Sequence, residues 1–187
     1  EFPPVVAWWQ RHGFVETSRQ GTSLQLTREL PVCVEARTAE ETQDLGRRLA
    51  ALLRAGDLII AAGDLGAGKT TLTQGIGAGL GVAGAVISPT FVLSRVHRPL
   101  SDGPALVHVD AYRLSSPAEL YDLDLDASAA DAVTLVEWGT GIAEGLADDR
   151  LEIDIRRSLD PEDETRWIFL TPIGERWTAA RPLLEAL

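Results

Sequence analysis

The spacing of apolar residues predicts alternating helices and strands from about residue 31 onward. Leu45, Leu49, Leu52 and Leu53 recur at helical spacing in "TAEETQDLGRRLAALLRAG". The next run, "DLIIAAG", is apolar throughout over a short span. Such a run is typical of a central parallel strand that is buried on both faces. "TTLTQGIGAGLGV" then predicts a second, glycine-rich helix.

The flanking residues predict where the first of these helices begins and ends. Thr38 and Glu41 have the spacing of a capping box, in which each side chain satisfies a backbone N–H of the first turn. Gly56 suits the carboxyl end because glycine adopts the left-handed conformation found there. We therefore predict a helix between these two positions.

The second half of the chain predicts more strands and a short final helix. "VCVEA", "FVLSRVH", "ALVHVDAYRL" and "AVTLVEW" are predicted strands, and an acidic turn region covers residues 117–132. "RLEIDIRR" and "RWIFLTPIG" predict a strand pair, with a helix from about Glu175. The fold class expected is α/β, with a mainly parallel central sheet flanked by helices and a C-terminal strand hairpin.

Residues 1–30 differ from the domain predicted over residues 31–187. Leu24, Leu26 and Leu30 alternate in "SLQLTREL", so we expect a strand hairpin extension. The pattern "AWWQRHGFVETSRQGTSLQLTREL" resembles the closing strands of a GNAT acetyltransferase, which implies the tail of an upstream domain. An extension that packs its aromatic residues on the main domain is the alternative. Since the chain contains no methionine, we expect it to begin inside a longer polypeptide or with residues introduced by cloning.

Composition narrows the classes of function. The 187 residues suffice for one compact domain, and 17 basic against 28 acidic residues give a net charge of -11. This charge repels nucleic acid phosphates, so any RNA role is expected to run through a partner. A single cysteine, Cys33, excludes an internal disulfide and is predicted to lie in the core. No apolar run reaches the ~18 residues of a membrane span. We expect a cytoplasmic protein without a membrane partner.

A phosphate-binding loop is predicted between the buried strand and the glycine-rich helix. Gly63, Gly68, Lys69 and Thr70 satisfy the Walker A pattern G-x-x-x-x-G-K-[ST]. Glycines let backbone N–H groups point at phosphate oxygens, and the helix start adds the positive end of its dipole. Lys69 is predicted to bind the β and γ phosphates, and Thr70 to bind Mg²⁺. A chance glycine-rich turn is the alternative. The predicted binding segment is Gly63, Asp64, Leu65, Gly66, Ala67, Gly68, Lys69, Thr70 and Thr71.

Two acidic residues that end apolar strands are candidates for catalysis. Glu137 ends "AVTLVE", where P-loop proteins carry a carboxylate that binds the metal ion together with the hydroxyl of the loop. Asp110 ends "ALVHVD" and is predicted to position the attacking water or to complete the metal shell. The alternatives are an ordinary solvated acid for Glu137 and a turn cap for Asp110. We assign His108 a structural role, on the strand face opposite to Asp110.

Four motifs in order, "GDLGAGKTT", "SPTFVL", "HVDAYRL" and "LVEW", resemble the TsaE family over residues about 32 to 180. This family comprises the P-loop ATPases of bacterial tRNA threonylcarbamoyladenosine biosynthesis. The resemblance implies that Lys69 and Thr70 hold phosphate and Mg²⁺, that Glu137 serves the metal, and that Asp110 supports hydrolysis. The extra residues at the front depart from the usual family start.

The resemblance implies further site residues and partners. Thr90 would lie on a switch-like loop near the γ phosphate, and the start of the first helix makes residues 38–42, with Thr42 among them, lesser candidates. Arg166 is a weaker candidate, and Trp138 would sense nucleotide or partner, with plain core as its alternative. The family acts on the complex of TsaB and TsaD, which would contact tRNA for it. ATP and Mg²⁺ are the cofactors implied.

Three other classes of protein are alternatives to an accessory ATPase. A small-molecule kinase would share the P-loop, but its usual arginine-bearing lid is not evident, since "SRVHRP" is only a modest cluster. A GTPase needs an N/T-K-x-D motif, which is absent because Lys69 is the only lysine. A nucleotide-dependent binding module with negligible turnover stays open.

Overall fold

Within the residues described by the computed structural model, which are 3–123, 125, 130–160 and 162–187, two sheets and several helices form. The strands are β1 (Val15–Gln20), β2 (Ser23–Thr27), β3 (Val32–Ala36), β4 (Leu58–Ala62), β5 (Ser94–His97), β6 (Ala105–Asp110), β7 (Ala132–Glu137), β8 (Arg150–Arg157) and β9 (Arg166–Ile173). The helices are α1 (Pro3–Arg11), α2 (Ala39–Ala50), α3 (Lys69–Gly79), α4 (Pro117–Tyr121), α5 (Gly174–Ala179) and α6 (Arg181–Leu184), with a 3₁₀ turn at Glu144–Leu146.

The main sheet is mostly parallel, as predicted. Its strand order is β3-β9-β8-β4-β7-β6-β5, and the four adjacent strands β8, β4, β7 and β6 run parallel. Strands β9 and β5 run antiparallel to their neighbours, and β8 with β9 forms the predicted C-terminal hairpin. The predicted α/β fold class is therefore confirmed.

Strand β4 is buried on both faces, which explains its uninterrupted apolar sequence. Ile59 and Ala61 belong to the core on the side of α2 and α3. Leu58 and Ile60 belong to a second core on the other side of the sheet, with Val107 among their neighbours. The sheet thus holds the end of β4 rigidly between two packed layers.

Helix α2 begins where its sequence predicts and ends earlier. The Thr38 hydroxyl accepts a hydrogen bond from the Glu41 N–H at 3.2 Å, so the predicted cap is confirmed. The helix ends at Ala50, and Gly56 instead occupies the turn before β4 with φ of 90°. The predicted end at Gly56 was wrong because a turn separates the helix from that glycine.

Glycines let α2 and α3 pack closely together. A Cβ on Gly75 would collide with the carbonyl oxygen of Gln43, and a Cβ on Gly46 would lie 2.5 Å from the carbonyl oxygen of Leu72. The glycines of the predicted "glycine-rich helix" are therefore a packing surface. Through this contact α2 packs against the helix that follows the glycine loop of residues 63–68.

The first 30 residues contain a helix and a hairpin. Strands β1 and β2 correspond to the predicted hairpin, but α1 precedes them, so the extension is not a hairpin throughout. Proline is tolerated in the first turn of a helix, which is why "PPVVAWW" can begin one. Arg181 joins this segment to the main sheet domain, since it lies 3.0 Å from Glu29 and donates to the Leu30 carbonyl. Membership of residues 1–30 in an upstream acetyltransferase stays a prediction.

Three further observations complete the comparison with the sequence. Cys33 is exposed, so its predicted core position was wrong. Its side chain lies on the outer face of β3, the strand at the sheet edge, where only alternate residues are buried. The predicted acidic turn region contains α4, while its residues 124 and 126–129 lie outside the described residues. None of the described helices has the length and apolar character of a membrane span.

Candidate functional site

The candidate site lies where three parallel strands end at the same edge of the sheet. Ala61 of β4 pairs with Glu137 of β7, and Asp110 of β6 pairs with the same Glu137. The loop of residues 63–68 leaves β4 at this level and leads into α3. Ligands bind at this edge in open α/β sheets because the loops there are free to diverge.

The loop backbone has the conformation that its glycines allow. Gly63, Gly66 and Gly68 have φ of 136°, 77° and 111°, which side chains with a Cβ rarely adopt. Gly63 also lies so close to the Ile155 carbonyl oxygen that a Cβ there would collide with it. Helix α3 begins directly after Gly68, and no side chain caps its start. The free N–H groups of this first turn are available to an anion.

Lys69 is buried and folds back over the loop. Its Nζ donates to the carbonyl oxygens of Gly63 at 2.7 Å and Asp64 at 3.0 Å, and lies 3.7 Å from the centroid of the Trp138 ring. Burial lowers the pKa of Lys69, and the neighbouring carboxylates of Glu137, Asp110 and Asp64 oppose that shift. These contacts hold a cation at the start of α3.

Glu137 and Thr70 form a close pair of oxygen donors. The Thr70 hydroxyl lies 3.0 Å from Oε1 and 3.1 Å from Oε2 of Glu137, and Glu137 as a whole is 2% exposed. Carboxylate and hydroxyl oxygens are ligands that suit Mg²⁺, which completes its shell with phosphate oxygens and water. The residues present therefore fit a magnesium ion that arrives with a phosphorylated ligand.

Asp110 holds the loop that contains Thr90. Its Oδ2 accepts hydrogen bonds from the hydroxyls of Ser88 at 2.6 Å and Thr90 at 2.5 Å, and its Oδ1 accepts from the Tyr112 N–H at 3.0 Å. Burial acts to raise the pKa of Asp110, but these hydrogen bonds outweigh it and lower the pKa overall. Asp110 is thus stabilised as a carboxylate that ties residues 88–90 to the sheet.

His108 lies on the strand face opposite to the one predicted. Its Nε2 lies 2.8 Å from Oε1 of Glu137, and the ring is 0% exposed. The prediction placed it opposite Asp110, but residues two apart in a strand point to the same face. Its contact with Glu137 makes it a neighbour of the candidate site.

Trp138 follows Glu137 in a conformation that is unusual for a bulky residue. Its φ is 62°, and its N–H donates to the Ala61 carbonyl at 2.9 Å. The Tyr112 ring packs edge-on against it at 5.1 Å between centroids. A positive φ at a residue other than glycine costs free energy and concentrates at functional sites. Here it turns the Trp138 ring over the Lys69 ammonium.

The cleft over these residues has a volume of about 390 Å³. A second cleft, of about 590 Å³, lies on the other side of the loop against the β8–β9 hairpin, and Gly63, Asp64 and Arg166 line it. The first cleft is lined by Leu65, Gly66, Gly68, Lys69, Thr70, Thr71, Ser88, Thr90, Asp110, Tyr112, Glu137 and Trp138. Most of the predicted site residues therefore meet at one place.

Two predicted residues, Ala67 and Thr42, line neither cleft, and Gly63, Asp64 and Arg166 line only the second. Ala67 is fully buried beneath the loop, and Arg166 donates from Nε to its carbonyl oxygen at 3.0 Å. Thr42 is buried in α2, where its hydroxyl donates to the Thr38 carbonyl, and it does not line either cleft. Ser88 and Tyr112, which line the first cleft, were missed, although both stand in the motifs "SPTFVL" and "HVDAYRL".

Comparison with known proteins gives the family. The family model described as "Threonylcarbamoyl adenosine biosynthesis protein TsaE" matches residues 36–166. A protein of Streptomyces coelicolor named tRNA threonylcarbamoyladenosine biosynthesis protein TsaE is 61% identical over 140 residues, which are 74% of this chain and 95% of that protein. A Bacillus subtilis protein of the same name is 41% identical over 140 residues, which are 74% of this chain and 84% of that protein.

A solved structure agrees with the sequence comparison. The crystal structure of Bacillus subtilis YdiB has a TM-score of 0.68 and 32% identity to this chain. The match covers 86% of this chain and 98% of the YdiB chain. The fold is therefore shared with a known structure.

Proposed function

The chain belongs to the TsaE family, and from this premise we propose that it binds ATP with Mg²⁺ and hydrolyses it in support of tRNA threonylcarbamoyladenosine formation in the cytoplasm. One observation carries the proposal. A glycine loop with its lysine stands at the edge of the sheet where the Thr70 hydroxyl and the Glu137 carboxylate lie 3.0 Å apart. This is the set of groups that phosphate and a magnesium ion need together.

The residues of the loop bind the phosphates in this proposal. The N–H groups at the start of α3 donate to phosphate oxygens, because no capping side chain occupies them. Lys69 exchanges its contacts with the Gly63 and Asp64 carbonyls for the β and γ phosphates. Thr70 and Glu137 would hold Mg²⁺, which neutralises charge that develops on the phosphates. When Lys69 moves to the phosphates, its ammonium group no longer contacts the Trp138 ring.

Asp110 is proposed to support the attack of water. A carboxylate orients a water by accepting its hydrogen bond, and Asp110 lies at the cleft with its carboxylate held by Ser88 and Thr90. A ligand that contacts Thr90 would compete for the same hydroxyl. Residues 88–90 are thereby linked to the state of the bound nucleotide, which is the behaviour expected of a switch loop.

The surface around the cleft supports a protein partner. Leu65, which lines the cleft, is 82% exposed, and Phe91, which follows Thr90 in the chain, is 84% exposed. Val92, the next residue in the chain, and Tyr112, which also lines the cleft, are exposed as well. Exposed apolar side chains grouped at one site favour a protein contact. We propose that TsaB and TsaD dock here and that they supply the tRNA surface, since the net charge of -11 repels RNA.

The test is ATP hydrolysis by the chain alone and with the TsaB–TsaD complex. We expect slow turnover alone, stimulation by the complex, and loss of both in Lys69→Ala and in Glu137→Ala. Phe91→Ser is expected to lose the stimulation and keep the basal rate. Leu100→Ser is the matched control, because Leu100 is also exposed, at 76%, in the loop that follows β5.

The other outcomes discriminate the alternatives. Nucleotide binding without stimulated turnover would favour a nucleotide-dependent binding module. Consumption of ATP only in the presence of a small-molecule acceptor would favour a kinase. Stimulation that persists in Lys69→Ala would contradict the assignment of the cleft itself.

A further inference from the structure

His108 lies behind Glu137, in the centre of the sheet. Its ring is fully buried on β6, and its Nε2 lies 2.8 Å from Oε1 of Glu137. A carboxylate has no hydrogen to donate, so the hydrogen between these atoms belongs to Nε2. The partner thus assigns a hydrogen to Nε2 of His108.

The two oxygens of Glu137 have different surroundings. The Thr70 hydroxyl is almost equidistant from both, at 3.0 Å and 3.1 Å, so it does not select one of them. His108 contacts Oε1 only, and the Thr73 hydroxyl lies 3.4 Å from the same oxygen. The contacts from the protein interior therefore converge on Oε1, and Oε2 is the oxygen they leave for a ligand in the cleft.

We infer that His108 is a positioning residue, which fixes the rotation of the Glu137 carboxylate so that Oε2 is presented to the metal ion. The inference rests on the proposed function, because it assigns a role at the same metal site. Hydrogen bonds to a ligating carboxylate orient it, and their loss typically costs about 10–100-fold in metal affinity.

A second buried histidine, His97, lies next to the ring of His108. Among the described residues, neither Nδ1 of His108 nor Nε2 of His97 has a hydrogen-bond partner, although both atoms are buried. The two ring centroids are 6.4 Å apart. Two imidazole rings that each bond to one shared water oxygen have centroids roughly 6–7 Å apart. One water between the two rings would satisfy both atoms, since buried polar atoms are rarely left unpaired.

The protonation of His97 agrees with such a water. Burial lowers the pKa of His97, and His108 and Arg95 lower it further, so the ring is neutral at pH 7. A hydrogen bond with the Ala83 backbone acts in the opposite direction, which identifies its carbonyl as the acceptor of the one ring hydrogen. Nε2 of His97, which faces His108, then carries a lone pair, and a water can donate a hydrogen to it.

The test measures metal affinity separately from nucleotide affinity. Mn²⁺ replaces Mg²⁺ as the probe, and electron paramagnetic resonance gives its affinity for the complex of the protein with ADP. We expect His108→Leu to bind Mn²⁺ about 10–100-fold more weakly. Its affinity for ADP in the presence of EDTA should be unchanged. His108→Gln is the matched control, since its amide N–H reaches the position of Nε2 and should retain most of the metal affinity.

Each outcome is decisive. A folded His108→Leu with unchanged Mn²⁺ affinity overturns the inference. Should that variant fail to fold, ¹⁵N NMR of the unsubstituted protein decides, because the inference requires a hydrogen on Nε2 of His108, and a ring without a hydrogen on Nε2 overturns it. Failure of the unsubstituted protein to bind ADP or Mn²⁺ would instead contradict the proposed function.

Discussion

The contact between α2 and α3 predicts that Gly75→Ala destabilises the protein, although alanine is the better helix former. An added Cβ would lie 2.8 Å from both the carbonyl carbon and the Cα of Gln43, and closer still to its carbonyl oxygen. Carbon atoms in contact stay about 3.5–4.0 Å apart, so the helices must separate by about 1 Å. Overpacking costs about 1–3 kcal/mol, and a collision with backbone atoms, which cannot rotate away, belongs to the upper part of that range, at about 2–3 kcal/mol. This exceeds the ~1 kcal/mol that alanine gains over glycine in a helix.

Urea unfolding measures this balance. A net loss of about 1–2 kcal/mol lowers the midpoint by roughly 0.5–1 M at a typical slope of about 2 kcal/mol per molar. Gly103→Ala is the control, because an added Cβ there would have its nearest neighbour, the Leu80 carbonyl oxygen, at 3.9 Å. The control should be as stable as the parent or slightly more stable. A Gly75→Ala variant that unfolds at the same or a higher urea concentration would refute the argument.

Three further predictions concern single side chains. The pKa of Asp110 is lowered in the folded state, so the stabilisation from its carboxylate is present above the ordinary pKa of 3.8 and is lost as the pH falls through the folded pKa. The free energy of unfolding in urea should therefore fall less steeply below pH 5 in Asp110→Asn than in the parent protein. The same pH profile for both proteins would contradict this. Nucleotide should change tryptophan fluorescence as Lys69 leaves the Trp138 ring, and a change that survives in Trp138→Phe would argue against that movement. Cys33 should react with a thiol reagent in the native protein, whereas a need for denaturant would contradict its exposure.

The conformation of the glycine loop, residues 63–68, could be predicted because it is set locally by the sequence. Gly63, Gly68 and Lys69 are fixed by backbone conformation and charge, and the buried strand before them has a clear apolar signature. The positions of Glu137 and Asp110 beside this loop could be predicted for a related reason. An acid that ends an apolar strand lies at the carboxyl edge of a parallel sheet, and the pairing of the strands brings both acids to the loop.

The errors arise where tertiary packing decides. Cys33 stands in an apolar stretch, yet its strand is at the edge of the sheet and one face is open. Helix α2 has apolar residues beyond its end, but the chain turns after Ala50 to reach β4. His108 was placed on the wrong face by a misapplied alternation rule, and its contact with Glu137 depends on the pairing of β6 with β7. Thr42 lies within α2 and its predicted contact with nucleotide stays a prediction.

The level of threonylcarbamoyladenosine in tRNA tests the central claim most directly. It is measured by mass spectrometry in cells whose only copy of this protein carries Lys69→Ala, with Leu100→Ser as the control at matched protein level. We expect the level of the modification to fall in the Lys69→Ala cells and to stay normal in the control. In the proposed mechanism Lys69 binds the phosphates of the nucleotide, and Leu100 does not contact the nucleotide. Normal modification in cells that contain folded Lys69→Ala protein would contradict the proposal that nucleotide at this cleft supports tRNA modification.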